Sequence, residues 1–237
     1  MSNLLEPDQL TRQQIEEVER VSIRIVFQSL RDFLPEAVRI FKHSPDEVRD
    51  IAEDVTREAL ERLPGFPLPE RIFGAMDFKR AGYVFCPDFS VRQALLVDSK
   101  AEKNDTSATL QISQTSLRVR QKRGGELVDK KPGLDPIYCL GNDRFLTTTI
   151  FVHYRYRKSE VPGEHNLLER VTIAALPNGL LEETYVPNAC DTIWIAGRNA
   201  PSRGEPFRVR LSFSKLGQKT PWRVQRLNVG EDNAWVD

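Results

Sequence analysis

The chain has 237 residues, 40% of them hydrophobic, which is enough to bury a sizeable core in one domain. Its 34 basic and 34 acidic residues cancel, so net charge neither indicates nor excludes a polyanionic partner. The cysteines, Cys86, Cys139 and Cys190, lack C-x-x-C spacing and the three histidines are too scattered for a zinc cluster, which favours reduced thiols. Without an apolar stretch of membrane-spanning length, and with a polar, acidic N-terminal segment, the protein is expected in the cytoplasm.

Residues 11–42 are predicted to be helical, because apolar and small residues recur there at helical spacing. Thr11 is the predicted N-cap, and Pro35 is expected to kink the segment or split it into two helices. A further helix is predicted to begin at Ser44, where S-P-D-E places a capping serine before a proline and two acids. It should end near Leu63, because Pro64 and further glycine and proline residues follow.

From residue 72 onward the pattern changes to that of β-strands. The predicted strands are 73–78, 82–85, 94–97, 147–156, 168–175, 192–195 and 207–213. Two helical segments followed by many strands favour a mixed α/β or α+β domain around one central sheet.

The segment LLVDSKAEKN, residues 95–104, follows an aliphatic run with an acid, a small residue and a lysine. Side chains alternate along a strand, so Asp98 and Lys100 are expected on the same side, where the strand leaves the core. Such a pair can support metal-assisted chemistry, with the acid binding a hard cation and the lysine assisting a nucleophilic water. The alternative is a weak surface ion pair where a strand ends in a solvated turn.

A cation site needs a second acid, and two upstream aspartates are candidates. Asp88 lies in CPDFS, whose composition indicates a turn between strands. Asp77, in FGAMDFKRAG, follows an apolar stretch that could form a strand. Because a metal ligand must be held rigidly, Asp77 is the preferred partner of Asp98.

Several stretches together resemble the SfiI family of type II restriction endonucleases, which includes the BglI-like enzymes. They are FGAMDFKR, QALLVDSKAEKN, TLQISQ, TIFVHYRYRK, APSRGEPFRVRLSF and PWRVQRL, in that order across residues 12–228. The resemblance implies an α/β fold with a PD-(D/E)xK restriction-endonuclease-like core, in which a central mixed β-sheet is flanked by helices. It implies one domain over residues 1–237, with a helical part at about 9–63 and a catalytic and DNA-reading sheet at about 70–228.

In that family the active site corresponds to Asp77, Asp98 and Lys100, with both aspartates binding the metal. The segment IAEDVT, residues 51–56, makes Glu53 a candidate accessory acid. The resemblance implies Mg2+-dependent hydrolysis of phosphodiester bonds in both strands of DNA, leaving 5'-phosphate and 3'-hydroxyl ends.

Base recognition is expected from RGEPFRVRLSF, in which Arg208 and Arg210 lie on one face of a predicted strand. Arginine forks pair bidentately with guanine in the major groove, and the family reads G·C pairs of an interrupted palindrome through such a strand. Arg198 and Arg203 are further candidates for DNA binding. The alternative is that alternating arginines mark the solvated face of an edge strand.

A twofold-symmetric target requires a twofold-symmetric protein, so a homodimer is the minimum assembly and a tetramer stays open. The expected partners are double-stranded DNA and, in the cell, a cognate DNA methyltransferase that acts on the same site. Two other functions remain: a repair-type or non-specific nuclease with the same catalytic residues, and a catalytically inactive DNA-binding relic. The first would cut many DNAs whatever the identity of Arg208 and Arg210, and the second would bind DNA without a requirement for Mg2+.

Overall fold

The computed structural model of the protein describes residues 3–62, 70–71, 79–86, 88–103, 106–196 and 208–237. The helices in these ranges are α1 (Arg12–His43), α2 (Val48–Glu61), α3 (Glu182–Tyr185) and α4 (Phe213–Lys219). The strands are β1 (Asn3–Leu5), β2 (Glu70–Arg71), β3 (Lys79–Cys86), β4 (Phe89–Glu102), β5 (Ser107–Gln111), β6 (Val119–Arg123), β7 (Glu126–Lys130), β8 (Ile137–Leu140), β9 (Asp143–Lys158), β10 (Asn166–Leu176), β11 (Trp194–Ile195), β12 (Arg208–Ser212) and β13 (Val224–Asn228). No helix within these ranges combines the length and the apolar character needed to cross a membrane.

Helix α1 begins as predicted with Thr11 as its N-cap. The Thr11 hydroxyl accepts a hydrogen bond from the backbone N–H of Gln14, and the Gln14 side chain accepts one from the Thr11 N–H. Of the two expectations for Pro35, the split into two helices was wrong, because one helix continues through this residue to His43. Buried residues on both sides of the proline, Phe33 and Ala37, pack into the core and hold the two halves in one helix.

The predicted start of the second helix at Ser44 was also wrong. Ser44 is the C-cap of α1, and its backbone N–H donates to the carbonyl of Ile40. Its hydroxyl lies 2.7 Å from Oδ2 of Asp46, which forms a short turn before α2 begins at Val48. Ser, Pro and Asp favour turns as well as helix starts, so the segment S-P-D-E is compatible with a turn as well as with the start of a helix.

The central sheet is mixed, as the sequence predicts. Its strands follow the order β13-β10-β9-β4-β3-β2, with β1 beside β4 and β8 beside β9. Strands β4 and β9 run parallel, from the pair Gln93 and Leu146 to the pair Glu102 and Arg155. The other neighbours along that order pair antiparallel.

The two faces of the sheet pack against different elements. Ile150 and Val152 of β9 belong to a buried cluster with residues of α1 and α2. Phe151, between them, belongs to a second cluster with Leu110 of β5 and Val209 of β12. Since successive side chains of a strand point to opposite faces, α2 and most of α1 cover one face. The small sheet β11-β12-β5 covers the other face, together with α4 and the N-terminal part of α1.

The predicted strands between residues 82 and 213 all correspond to observed strands, whereas the predicted strand 73–78 lies outside the described residues. The main difference is the length of β4, which the sequence predicts only over 94–97. The strand continues to Glu102, so Asp98 and Lys100 lie inside it and not at its end. Charged residues interrupt the apolar pattern, but their partners on neighbouring elements keep the strand intact.

Pro35 is exposed in the interior of α1, where it removes a backbone hydrogen-bond donor. We expect Pro35→Ala to raise the free energy of unfolding by about 1–3 kcal/mol, because alanine restores the donor and relieves the steric clash. Chemical denaturation measures this change, and Arg39→Ala, exposed on the same helix, serves as the control with a change within about 0.5 kcal/mol. A loss of stability in Pro35→Ala would show that the helix requires the proline.

Candidate active site

Asp98 and Lys100 form an ion pair on β4, with Nζ of Lys100 3.0 Å from Oδ2 of Asp98. Their strand positions lie opposite Phe151 and His153 of β9, which flank them in the middle of the sheet. The side chains are 29% and 30% exposed respectively, so each is largely shielded and still reachable from solvent. The predicted placement of the two on one side of a strand is confirmed.

Gln114 is a second partner of Asp98. Its Nε2 donates a hydrogen bond of 2.8 Å to Oδ1 of Asp98, and its Oε1 accepts one from the backbone N–H of Gln111. The residue lies in a short 3-10 turn, Ile112–Gln114, directly after β5. Both oxygens of the Asp98 carboxylate therefore face a donor, one charged and one neutral.

Glu53 of α2 lies near this pair. Its carboxylate accepts a hydrogen bond of 3.0 Å from Nε of Arg49, one turn earlier on the helix. Burial is the main cause of the raised pKa of Asp98, and the negative charge of Glu53 adds to it. The structure thus brings Glu53 and Asp98 close enough to interact electrostatically.

A buried hydroxyl network holds α2 against β4 on the face away from Asp98. The Ser99 hydroxyl donates to Oγ1 of Thr56 over 2.7 Å, and Thr56 also lies 2.7 Å from the hydroxyl of Tyr154. Ser99 points away from Asp98 and Lys100, as the alternation of the strand predicts. The network ties the helix that carries Glu53 to the strand that carries Asp98.

The pKa of Asp98 lies above its ordinary value of 3.8. Burial is the main cause, and the charge of Glu53 adds to it, while the ammonium of Lys100 and the guanidinium of Arg49 act in the opposite direction. The site therefore holds a carboxylate that is costly to ionise and that a nearby cation would stabilise.

The donor set suits a hard divalent cation, because carboxylate oxygens are the preferred ligands of such ions. Among the residues whose positions are described, no group of three or more His, Cys, Asp and Glu side chains lies close enough together to hold a metal. Asp77, the expected second ligand, lies outside the described residues. Asp88 is exposed in the turn between β3 and β4, as its CPDFS context predicts.

The predicted DNA-reading arginines fall partly within the described residues. Arg208 and Arg210 both lie on β12, two positions apart, which confirms the predicted strand. Nη2 of Arg210 lies 3.3 Å from Oε2 of Glu102 on β4. Arg198 and Arg203 lie outside the described residues.

Sequence reasoning missed the roles of Gln114 and Glu102 in this arrangement. Glu102 continues the alternation of Asp98 and Lys100, so the pattern itself could have indicated it. The bond of Gln114 to Asp98 depends on the turn after β5, which leaves no signal in the local sequence.

Comparisons with known proteins agree with this architecture. A family model described as type II restriction enzyme SfiI matches residues 32–227. The type II restriction enzyme SfiI of Streptomyces fimbriatus is 34% identical to this chain over an alignment of 240 residues. The alignment covers 96% of this chain and 89% of that protein.

Two solved structures also match. The crystal structure of tetrameric SfiI bound to cognate DNA matches with a TM-score of 0.87 and 33% identity, covering 98% of this chain and 90% of that one. The structure of the restriction endonuclease BglI bound to its DNA recognition sequence has a TM-score of 0.71 and 16% identity, covering 92% and 91%. At that identity BglI shows a likeness of fold alone.

A mixed sheet with an acid and a lysine two residues apart on a central strand, together with these matches, defines a type II restriction endonuclease, a site-specific DNA nuclease. The chain belongs to the SfiI family of these enzymes. The family and the restriction-endonuclease-like fold expected from the sequence are both confirmed.

Because the pKa of Asp98 is raised, the ionised carboxylate is expected to lower the free energy of unfolding. A folded-state pKa above the unfolded value stabilises the fold at pH values below the unfolded pKa, and this contribution is lost as the pH rises through the folded pKa. We therefore expect Asp98→Asn, a neutral substitution of the same shape, to raise the melting temperature at pH 8 in EDTA. The gain should disappear near pH 4.

Asp129 provides a control of opposite sign. Its hydrogen bond from Arg118 holds the pKa of Asp129 below the ordinary value, so its contribution is present at neutral pH and lost as the pH falls. Asp129→Asn should therefore lower the melting temperature at pH 8. A lower melting temperature for Asp98→Asn as well would contradict the assigned cost.

Proposed function

We propose that the protein is a Mg2+-dependent restriction endonuclease that hydrolyses both strands of double-stranded DNA at an interrupted, G·C-rich palindrome. The products carry 5'-phosphate and 3'-hydroxyl ends. The observation that supports this most strongly is the shielded pair of Asp98 and Lys100 on a central strand of an SfiI-type fold. Type II restriction enzymes are generally metal-dependent, and the oxygen donors of the site suit Mg2+.

Asp98 and Asp77 are the proposed metal ligands, with Glu53 as an accessory acid. Asp77 precedes the first residue of β3, Lys79, by two positions, and Lys79 pairs with Leu96, which precedes Asp98 by two positions. Asp77 and Asp98 are thus each two positions in sequence from the same pair of β3 and β4 residues. This equal separation supports Asp77 as the second carboxylate. The charge of Glu53 contributes to the raised pKa of Asp98. This contribution supports a position of Glu53 near the cation that Asp98 is proposed to bind.

Lys100 is the proposed partner of the attacking water. Its ammonium is held by Asp98, so its position relative to the scissile phosphate is fixed before DNA binds. Its positive charge stabilises the hydroxide-like nucleophile and the negative charge that develops on the phosphate. When bound, Mg2+ supplies the charge that offsets repulsion between the phosphate and the nucleophile.

Base recognition is assigned to β12, which carries Arg208 and Arg210, with Arg198 and Arg203 as further DNA contacts. Two strand residues separated by one position point to the same side, so two guanidiniums can reach adjacent bases. The small sheet that contains β12 packs on the same face of the central sheet as Phe151, opposite to α2 and most of α1.

A homodimer is the smallest assembly that matches a palindromic site. The tetramer of SfiI on cognate DNA supports an assembly of two such dimers as well. In the cell we place the enzyme in the cytoplasm, beside a methyltransferase that protects the same DNA sites.

Digestion of a long, sequenced DNA with Mg2+, followed by sequencing of the ends, tests this function. We expect the wild-type protein to give discrete fragments whose ends share one interrupted G·C-rich palindrome. Lys100→Ala should cut at least about 100-fold more slowly, because it removes charge stabilisation at the reacting phosphate. Lys158→Ala, at the exposed end of β9, serves as a matched lysine control with wild-type cutting.

The other outcomes identify the alternatives. A Mg2+-dependent smear of fragments would replace the proposal with a non-specific or repair-type nuclease. Binding of DNA without cutting by the wild-type protein would indicate a catalytically inactive relic.

Arg210→Ala tests base recognition on β12. We expect this variant to lose discrimination at one base pair of each half-site by roughly 5- to 150-fold, which corresponds to about 1–3 kcal/mol for a bidentate contact. Cleavage rates on duplexes with single base-pair changes measure the loss. Arg226→Ala, exposed on β13, is the control, and an unchanged base preference in Arg210→Ala would refute this role.

A further inference from the structure

Glu102 lies where the catalytic strand meets the small sheet. It follows Asp98 and Lys100 at the same two-residue spacing on β4, so all three side chains leave the strand on one side. Its Oε2 lies 3.3 Å from Nη2 of Arg210, and both side chains are 25% exposed. One carboxylate therefore connects the strand that carries the catalytic pair to the strand that is expected to read bases.

Glu102 has further partners that fix its carboxylate. The hydroxyl of Thr109, which lies opposite Arg210 on β5, hydrogen-bonds to it, and Nε2 of the buried His153 lies 3.8 Å away. Burial favours a higher pKa, but His153, Thr109 and Arg210 together lower the pKa of Glu102 below its ordinary value. The carboxylate thus has partners on three strands, β5, β9 and β12.

The geometry of Arg210 allows a second interaction. A guanidinium is planar and has two edges that can each meet a bidentate partner. Nη2 donates to Glu102 and Nε is buried, so Nη1 and the second hydrogen of Nη2 are the donors left for a base. An arginine whose plane is already fixed loses less side-chain freedom when it binds a base than an arginine in solution does.

We propose that Glu102 is a positioning residue for specificity: it holds one side of the Arg210 guanidinium so that the remaining donors meet a guanine of the DNA site. This inference rests on the proposed function, because it assigns base recognition to Arg210. A wrong base pair leaves the oriented donors unpaired in a shielded site, which slows cleavage. The stabilising effect of the ion pair on the fold is a separate and smaller consequence.

The test compares cleavage of the cognate duplex with cleavage of duplexes that carry single base-pair changes. The proteins are wild type, Glu102→Gln, Arg210→Ala and the double variant. Glu102→Gln is expected to cut the cognate duplex within about tenfold of the wild-type rate. It should lose discrimination by about tenfold at the base pair that Arg210→Ala relaxes, and at no other position. The double variant should lose no more than Arg210→Ala alone, since both act through one contact.

Glu164→Gln is the matched control. Glu164 is also a shielded glutamate in an ion pair, 2.7 Å from Nζ of Lys42, and lies in the turn between β9 and β10. Its substitution removes a comparable pair without contact to β12, and discrimination should stay at the wild-type level. Thr109→Val serves as a second variant that keeps both charges and should give a smaller loss at the same base pair.

The outcomes separate the inference from the proposed function. Wild-type protein that cuts without base preference would overturn both. Wild-type specificity with equal slowing of Glu102→Gln on every duplex, or with unchanged discrimination, would overturn the role of Glu102 alone. An Arg210→Ala variant that relaxes no base pair would overturn it as well, and Thr109→Val decides the matter if Glu102→Gln does not fold.

Discussion

The parallel pairing of β4 with β9 is the constraint on which the site depends. It runs from Gln93 and Leu146 to Glu102 and Arg155, so it keeps β4 extended well beyond its aliphatic stretch. Because alternation within this strand is fixed, Asp98 and Lys100 project together on one face while Ser99 reaches Thr56 on the other. A shift of one residue would exchange these faces and turn Asp98 and Lys100 away from the proposed active site.

Asp98 on the same strand is expected to lower the free energy of unfolding when its carboxylate is ionised. Asp98 is shielded enough for burial to raise its pKa, yet it is held by Lys100 and Gln114 and not replaced by an apolar residue. Further stability comes from apolar clusters on both faces of the sheet, which contain residues such as Phe41 and Trp194. Packing of these clusters on both sides of the sheet offsets the free-energy cost of the ionised Asp98, the proposed metal ligand.

The sequence predicted the elements whose signals are local. The capping Thr11 was found correctly because its partner Gln14 is three residues away, and the strands followed from their apolar alternation. The end of β4 was misplaced because its charged residues have partners, such as Arg210 for Glu102, that are distant in sequence. The role of Gln114 could not be predicted for the same reason, since a 3-10 turn brings it to Asp98.

The most direct test of the central claim separates DNA binding from cleavage at Asp98. Binding of Asp98→Asn to a duplex that contains the recognition site is measured with Ca2+, and single-turnover cleavage of the same duplex is measured with Mg2+. We expect wild-type binding together with a loss of cleavage on the order of 10^3-fold, because Asp98 is a proposed ligand of the catalytic cation. Cleavage by Asp98→Asn at a rate near that of the wild type would contradict the assignment of the active site.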